Sequence, residues 1–517
     1  MAKKKPKSKR AVEVNVGQLD TIIDKASTAP LESGECQQLR DSIHAMAERL
    51  IRLQKSANKS RSSEKKELLE GKPPKDSIKR PRRGHGRNGV EDYTGATKIE
   101  AQLPAEHQPK KVCPDCEKGK LHHIEPAVIL RIKAMPPIQA TVYNLESCRC
   151  RMCGAIFRAE PPEGIGDEKY DDSVAAMVAQ LKYGTGMPFN RIDKLQEQMG
   201  IPLPAATQFE LVNDAAVRLE PLYEEYLRQS AQGSVLTHDD TEARILDKVE
   251  RPKGQNPNRT GLKTTGVVSQ VGEHQIALFI TGPRHAGENM GEILKRRAAG
   301  LPEPICMADA LPYNDPQVPP AFKLVLANCL THGRRQFVDI YENFPEKCHY
   351  VIEQLSLVYH YDDQAAELKF DAQGRLAFHQ RHSRPVLDAL KLWMESELGE
   401  KKTEPNSGLG KAINYFLKRW DRLTRFLAIE GAPLDSNVVE RALKKSILHR
   451  KNSLFFKTQN GADVGDLFMS IIHTCELNGV NSFDYLCCLL RNVAKVRAKP
   501  SNWMPWNFRA QLQEAPC

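Results

Sequence analysis

The chain has 517 residues, with 75 Lys+Arg against 65 Asp+Glu, a net charge of +10 and 13 cysteines. That is material for several domains and a large core. No apolar run approaches the roughly 18 residues of a membrane span, the basic start MAKKKPKSKR has no apolar stretch behind it, and the odd cysteine count does not make a disulfide framework.

Charge divides the chain unevenly. Residues 1–90 hold 22 Lys+Arg and 11 Asp+Glu, whereas the rest is close to neutral. Residues 1–38 read as a disordered basic lead-in. From Leu39 the apolar positions Leu39, Ile43, Met46, Leu50 and Leu53 alternate by four and three, which predicts a short coiled coil or one amphipathic helix. A polar, basic linker follows to residue 95, and its Arg82 and Arg83 in a Pro/Gly context suit phosphate contacts.

Residues 96–165 carry two cysteine knuckles, Cys113-Pro-Asp-Cys116 and Cys148-Arg-Cys150-Arg-Met-Cys153, joined by a β-rich segment. Tetrahedral zinc takes four soft ligands, and two tight turns deliver them in pairs. The expectation is a structural Zn2+ on Cys113, Cys116, Cys150 and Cys153, with Cys148 able to replace Cys150. Residues 166–230 read as helices with a Gly-Ile-Pro turn at helix-turn-helix spacing, a candidate DNA-binding region.

From Val235 strands alternate with helices: VLTHDDTEARIL, then TGVVSQV and HQIALFITGP as a hairpin about Gly272-Glu273, then PICMADAL and KLVLANCLTH. This texture predicts an α/β sheet over 231–345, with Asp239 and Asp309 at strand ends, where open sheets place their sites. Residues 346–430 read as a helical insertion. Residues 431–475 return to the core through LDSNVVERALKKSILHRKN, where Asn437 caps a helix and Glu440 closes a capping box or serves a metal. Val439, Leu443 and Ile447 form its inward stripe. Residues 476–517 form a C-terminal segment, loosely packed from Pro500.

Four blocks in this order resemble the insertion sequence 66 family of DDE transposases: His238-Asp239-Asp240-Thr241; Met307-Ala308-Asp309-Ala310; Cys329-Leu330-Thr331-His332-Gly333-Arg334-Arg335-Gln336-Phe337; and Ser436-Asn437-Val438-Val439-Glu440-Arg441 with His449-Arg450-Lys451-Asn452. The resemblance implies a multidomain α+β chain. An RNase H-like α/β catalytic core with a helical insertion would follow a zinc ribbon and an N-terminal coiled coil and basic arm. It implies Asp239, Asp309 and Glu440 as the catalytic triad, with Asp240 an alternative to Asp239. Two Mg2+ (or Mn2+) ions on those carboxylates would drive strand cleavage and then strand transfer. Arg334, Arg335, Arg450 and Lys451 are candidates for phosphate contacts. Cys329 and His332 mimic a CxxH half-site, but no second pair lies nearby, so they are read as structural or substrate-contacting rather than zinc-binding. The implied partners are double-stranded DNA at element ends and target, further copies of the chain on DNA, and small accessory proteins. The implied setting is the bacterial cytoplasm at the nucleoid, without membrane. The competing reading is a zinc-ribbon DNA-binding regulator with a non-catalytic core; a weaker one is a nuclease without strand transfer.

Overall fold

A computed structural model describes residues 137–149, 156–160, 168–248 and 262–512, with isolated positions among 25–34, 110–120 and at 162. The chain falls into two units, Met1–Leu130 and Arg131–Cys517. In the first, Val112 pairs antiparallel with Lys120. In the second, strand β1 (Ser147–Arg149) pairs antiparallel with β2 (Ile156–Arg158). The expected zinc ligands Cys113, Cys116, Cys150 and Cys153, the heptad seam from Leu39 to Leu53, and Arg82 and Arg83 lie outside the described residues. No described helix is long and apolar enough to cross a membrane.

After β2 comes α1 (Asp172–Ala179), capped by Asp171 and running into a π-turn at Gln180–Gly184. Helix α2 (Phe189–Gln198) and the 26-residue α3 (Ala205–Ser230) follow at the expected helix-turn-helix spacing. The buried stripe of α3 runs its whole length, from Gln208 through Val212, Leu219 and Tyr226 to Ser230. Its solvent side carries Glu210, Asp214, Glu220 and Glu224. A helix that buries one face along its whole length packs a core.

The sheet has the order β5-β4-β3-β6-β7, with β3 (Val235–Ala243), β4 (Leu262–Val271), β5 (His274–Gly282), β6 (Ile305–Ala308) and β7 (Val325–Asn328). The first three pair antiparallel, and β6 and β7 run parallel to β3. The β4–β5 turn is Gly272-Glu273 as the sequence predicts, with Gly272 at φ +58°, the left-handed conformation that favours glycine in such hairpins. Helix α4 (Ala286–Leu294) follows β5, and α5 (Leu330–Val338) follows β7.

The insertion is helical as expected: α6 (Pro345–Glu367), α7 (Ala372–Gly399), α8 (Gly408–Lys418) and the short α9 (Trp420–Leu423). It is built into the core. Ile305, Met307 and Ala327 of the sheet share one apolar cluster with Leu355, Leu387 and Phe416.

Helix α10 (Asn437–Ser453) then crosses the sheet, and α11 (Gln459–Leu477) runs beside the edge strand β5. An edge strand exposes a row of unpaired backbone groups. Here a helix takes them. Thr281, Phe279, Ala277 and Gln275 donate their N–H groups to Asp466, Ser470, Thr474 and Asn478 respectively. Four residues of helix rise about 6 Å and two of strand about 6.7 Å, so every second amide of β5 meets every fourth residue of α11.

Helices α12 (Ser482–Arg491), α13 (Val493–Ala498) and α14 (Phe508–Leu512) close the chain. The segment from Pro500 is not loosely packed as expected. Trp503, Met504 and Phe508 are buried in the main core, and Tyr485 donates its hydroxyl to the Trp503 carbonyl.

Candidate functional site

Asp239 sits inside β3 and not at its end, because β3 continues along β4 to Ala243. The parallel pairing with β6, however, stops at Thr237↔Met307. Beyond that point the sheet opens beside Asp239, and Asp309 follows directly on the last residue of β6. The two carboxylates therefore flank one gap.

Alternation along β3 separates the two aspartates. Asp240 faces α4. It accepts from Thr265 Oγ1 at 2.6 Å and from the Ala286 N–H at 2.9 Å, with His285 Nδ1 at 3.3 Å, and its carboxylate is 6 % exposed. It anchors the start of α4 and has no oxygen to spare. Asp239 faces the other way. Burial pushes its carboxyl up to about 6, with the carboxylates of Asp309 and Asp240 adding to the rise; the Asp240 N–H and His332 pull it back.

Glu440 reaches that same face through a glycine. Gly266 lies opposite Asp239 on β4, and a Cβ there would stand 2.8 Å from the Leu443 side chain and 3.4 Å from Val439. Directly opposed residues share a face, so α10 crosses the sheet against Asp239 and Gly266, and Glu440 stands one turn before Leu443. The expected capping box is absent. Ser436 is the N-cap and Asn437 already lies in the helix, its N–H held by Asp435 Oδ1 at 3.0 Å. Glu440 is thus free of the cap, and its Oε1 is enclosed without a hydrogen-bond partner.

Neighbours hold these acids in place. Asn314 donates Nδ2 to Asp309 Oδ1 at 2.5 Å, and its own carbonyl lies 2.7 Å from His238 Nε2. A carbonyl only accepts, so this histidine presents Nε2–H. Burial lowers its pKa, against the pull of the Asn314 carbonyl and the nearby aspartates. His238 is fully buried on that hydrogen bond. His332 behaves otherwise. Its Nε2 is 3.7 Å from Glu440 Oε1. Burial works against its charge, but Cys329 and Glu440 raise its pKa overall. Cys329, His332 and Glu440 bring one donor atom each within 4.8 Å of one another. The sequence set Cys329 and His332 aside as a half-site without a partner and read Glu440 separately; their meeting escaped it because Glu440 lies 108 residues beyond His332.

The expected phosphate contacts are placed differently from one another. Arg335 and Lys451 are exposed. Arg450 donates to the Glu242 carbonyl at the end of β3. Arg334 is 5 % exposed, beside Tyr359. Sequence reasoning read α8 only as part of the helical insertion; a groove of about 370 Å³ there is lined by Asn406, Lys411, Asn414, Tyr415, Lys418 and Arg419. Asp309 is close enough to help raise the Tyr415 phenol, after burial.

The chain matches the family model described as "Transposase IS66 family" over residues 168–464. It is 26 % identical to the uncharacterized protein y4jD of Sinorhizobium fredii over 420 residues, 76 % of this chain and 78 % of the relative. It is 26 % identical to y4hP of the same organism over 435 residues, 78 % and 74 % of the two chains. A third, y4qI, is 32 % identical over 188 residues, 36 % of this chain and 34 % of its own length.

Proposed function

The chain belongs to the IS66 family of transposases, and from that premise we propose that Asp239, Asp309 and Glu440 form a DDE triad that cuts element ends and joins them to target DNA. The observation that carries this is the crossing of α10 over Gly266, which sets Glu440 on the face of Asp239, with Asp309 across the gap. We assign the sheet to an RNase H-like core, since β4 alone runs against the other four strands.

The donors fit a hard divalent cation. They are carboxylate oxygens, and the repulsion from Asp309 that Asp239 feels is a cost that a cation removes. Mg2+ or Mn2+ on Asp239, Asp309 and Glu440, two ions in all, would supply an activated attacking oxygen and a stabilised leaving oxygen. The protein's own part is positional. Asn314 fixes Asp309, α10 carries Glu440 as one rigid unit, and Asp240 pins α4 behind the sheet so that β3 keeps its register. Arg335, Arg450 and Lys451 offer cations for the DNA backbone around this gap, whereas buried Arg334 serves the fold. In this reading the cysteine knuckles hold structural zinc, Arg82 and Arg83 reach DNA from the basic arm, and copies of the chain assemble on paired ends.

The test uses the full chain and a labelled fragment from the DNA flanking its reading frame. Asp309→Asn is expected to lower Mg2+-dependent cleavage by about 10³-fold or more while band-shift binding stays unchanged. Cleavage that survives the substitution would overturn the triad. Wild-type cleavage without any 3′ end joined to a target plasmid would favour the plain nuclease.

A further inference from the structure

The first turns of α5 and α10 meet at one point. Cys329 caps α5 and is fully buried, and His332 follows three residues later. Glu440 comes from the first turn of α10. One donor atom from each lies within 4.8 Å of the other two. One polar atom here, Glu440 Oε1, is enclosed without a hydrogen-bond partner and lies 3.7 Å from His332 Nε2. Enclosed polar atoms are nearly always satisfied, and an orphan carboxylate oxygen beside an imidazole nitrogen and a buried thiol points to an ion that takes its lone pair.

The donor set is not one that magnesium selects. Sulfur, imidazole nitrogen and carboxylate oxygen together suit zinc, which is borderline soft and accepts all three. The Ser436 N–H donates to Cys329 Sγ at 3.3 Å, an outer hydrogen bond of the kind that steadies a ligating thiolate. Zinc bonds of about 2.0–2.3 Å set tetrahedral ligands roughly 3.5 Å apart. The three donors lie within 4.8 Å of one another, so closing the triangle needs shifts of about 1 Å.

We propose that Cys329, His332 and Glu440 form a transition-metal site selective for Zn2+ over Mg2+, with a fourth position for water. Because Glu440 belongs to both sets of donors, zinc bound here withdraws it from the acidic cluster and blocks strand cleavage. Only this last consequence rests on the transposase reading; the binding itself does not.

The test counts metal on the full chain, with Co2+ alone as the probe. Thiolate-bound cobalt gives a near-ultraviolet charge-transfer band and strong tetrahedral visible bands. The upstream cysteines give the same signal, so the measurement is a difference between variants. Cys329→Ser and His332→Asn are each expected to bind one equivalent less than wild type, and Cys329→Ser to lose part of the charge-transfer band. Should Cys329→Ser fail to fold, His332→Asn carries the same count, since its side chain is 20 % exposed. Zn2+ is expected to inhibit Mg2+-dependent cleavage by the wild type, with the inhibitory concentration at least tenfold higher for His332→Asn relative to that variant's own zinc-free rate. Equal cobalt equivalents in wild type and variants would overturn the site. Fewer equivalents in the variants, together with a wild type that never cleaves DNA, would sink the transposase reading and leave the metal site standing.

Discussion

Asp466 is a carboxylate whose charge the fold disfavours. It is 4 % exposed, and both of its oxygens accept from Thr281, from the N–H at 2.5 Å and from Oγ1 at 2.7 Å. Burial pushes its carboxyl up to about 7 against the pull of those two donors. An unfolded aspartate titrates near 3.9. Since the folded value is raised, the stabilising contribution is fully present below about pH 4. It is lost as pH rises toward 7 and is flat beyond. Asn keeps one acceptor for the Thr281 N–H and can donate to Oγ1, so Asp466→Asn is expected to raise stability at pH 8 by on the order of 1–3 kcal/mol. Urea midpoints at pH 5 to 8 would show it as a flattened pH slope. A variant with the wild-type slope would mean that the carboxylate is ionised in the fold throughout.

At the scale of elements, the position of α10 decides where Glu440 goes. Its seat is the bare backbone of Gly266, and Leu443 and Val439 occupy the space a side chain would fill. Gly266→Val is expected to push α10 off the sheet, costing on the order of 1–3 kcal/mol and cutting cleavage at least tenfold while DNA binding holds. Unaltered cleavage in a folded Gly266→Val would mean that Glu440 is placed by something else. Much of the element order is legible in the sequence: the hairpin at Gly272-Glu273, the strand before Asp309, and the helical insertion all stand where periodicity puts them. What escapes is contact between distant segments. Asp466, Ser470, Thr474 and Asn478 repeat every four residues in plain view, yet the strand they cap lies 185 to 203 residues away. Asn437 has the composition of a cap, but Asp435 takes its N–H and moves the helix start to Ser436. Neighbouring Asp239 and Asp240 cannot be told apart until the sheet assigns them opposite faces.

For the whole molecule, the question is where a polyanion would lie. The excess positive charge sits in residues 1–90, and the rest of the chain is close to neutral. A DNA path across the core must therefore come from local gathering of cations. Lys411, Lys418 and Arg419 gather on the groove of α8, and that groove is fixed relative to the acids. Phe416 on α8 packs at 5.9 Å against Phe337 of α5 and fills the space above Gly333, the residue after His332. DNA resting on α8 would thus be held in register with Asp309 and Glu440. Each cation removed from a phosphate reduces the slope of log affinity against log salt by about 0.9. The double variant Lys411→Glu/Lys418→Glu is expected to weaken end binding and lower that slope by about 2. Cleavage at saturating DNA should remain within a few fold of wild type, because no triad or metal-binding residue is touched. Titrations of labelled DNA between 50 and 200 mM salt would measure the slope. If it is unchanged, DNA does not cross α8, and the cations around Arg335 and Lys451 must carry the substrate.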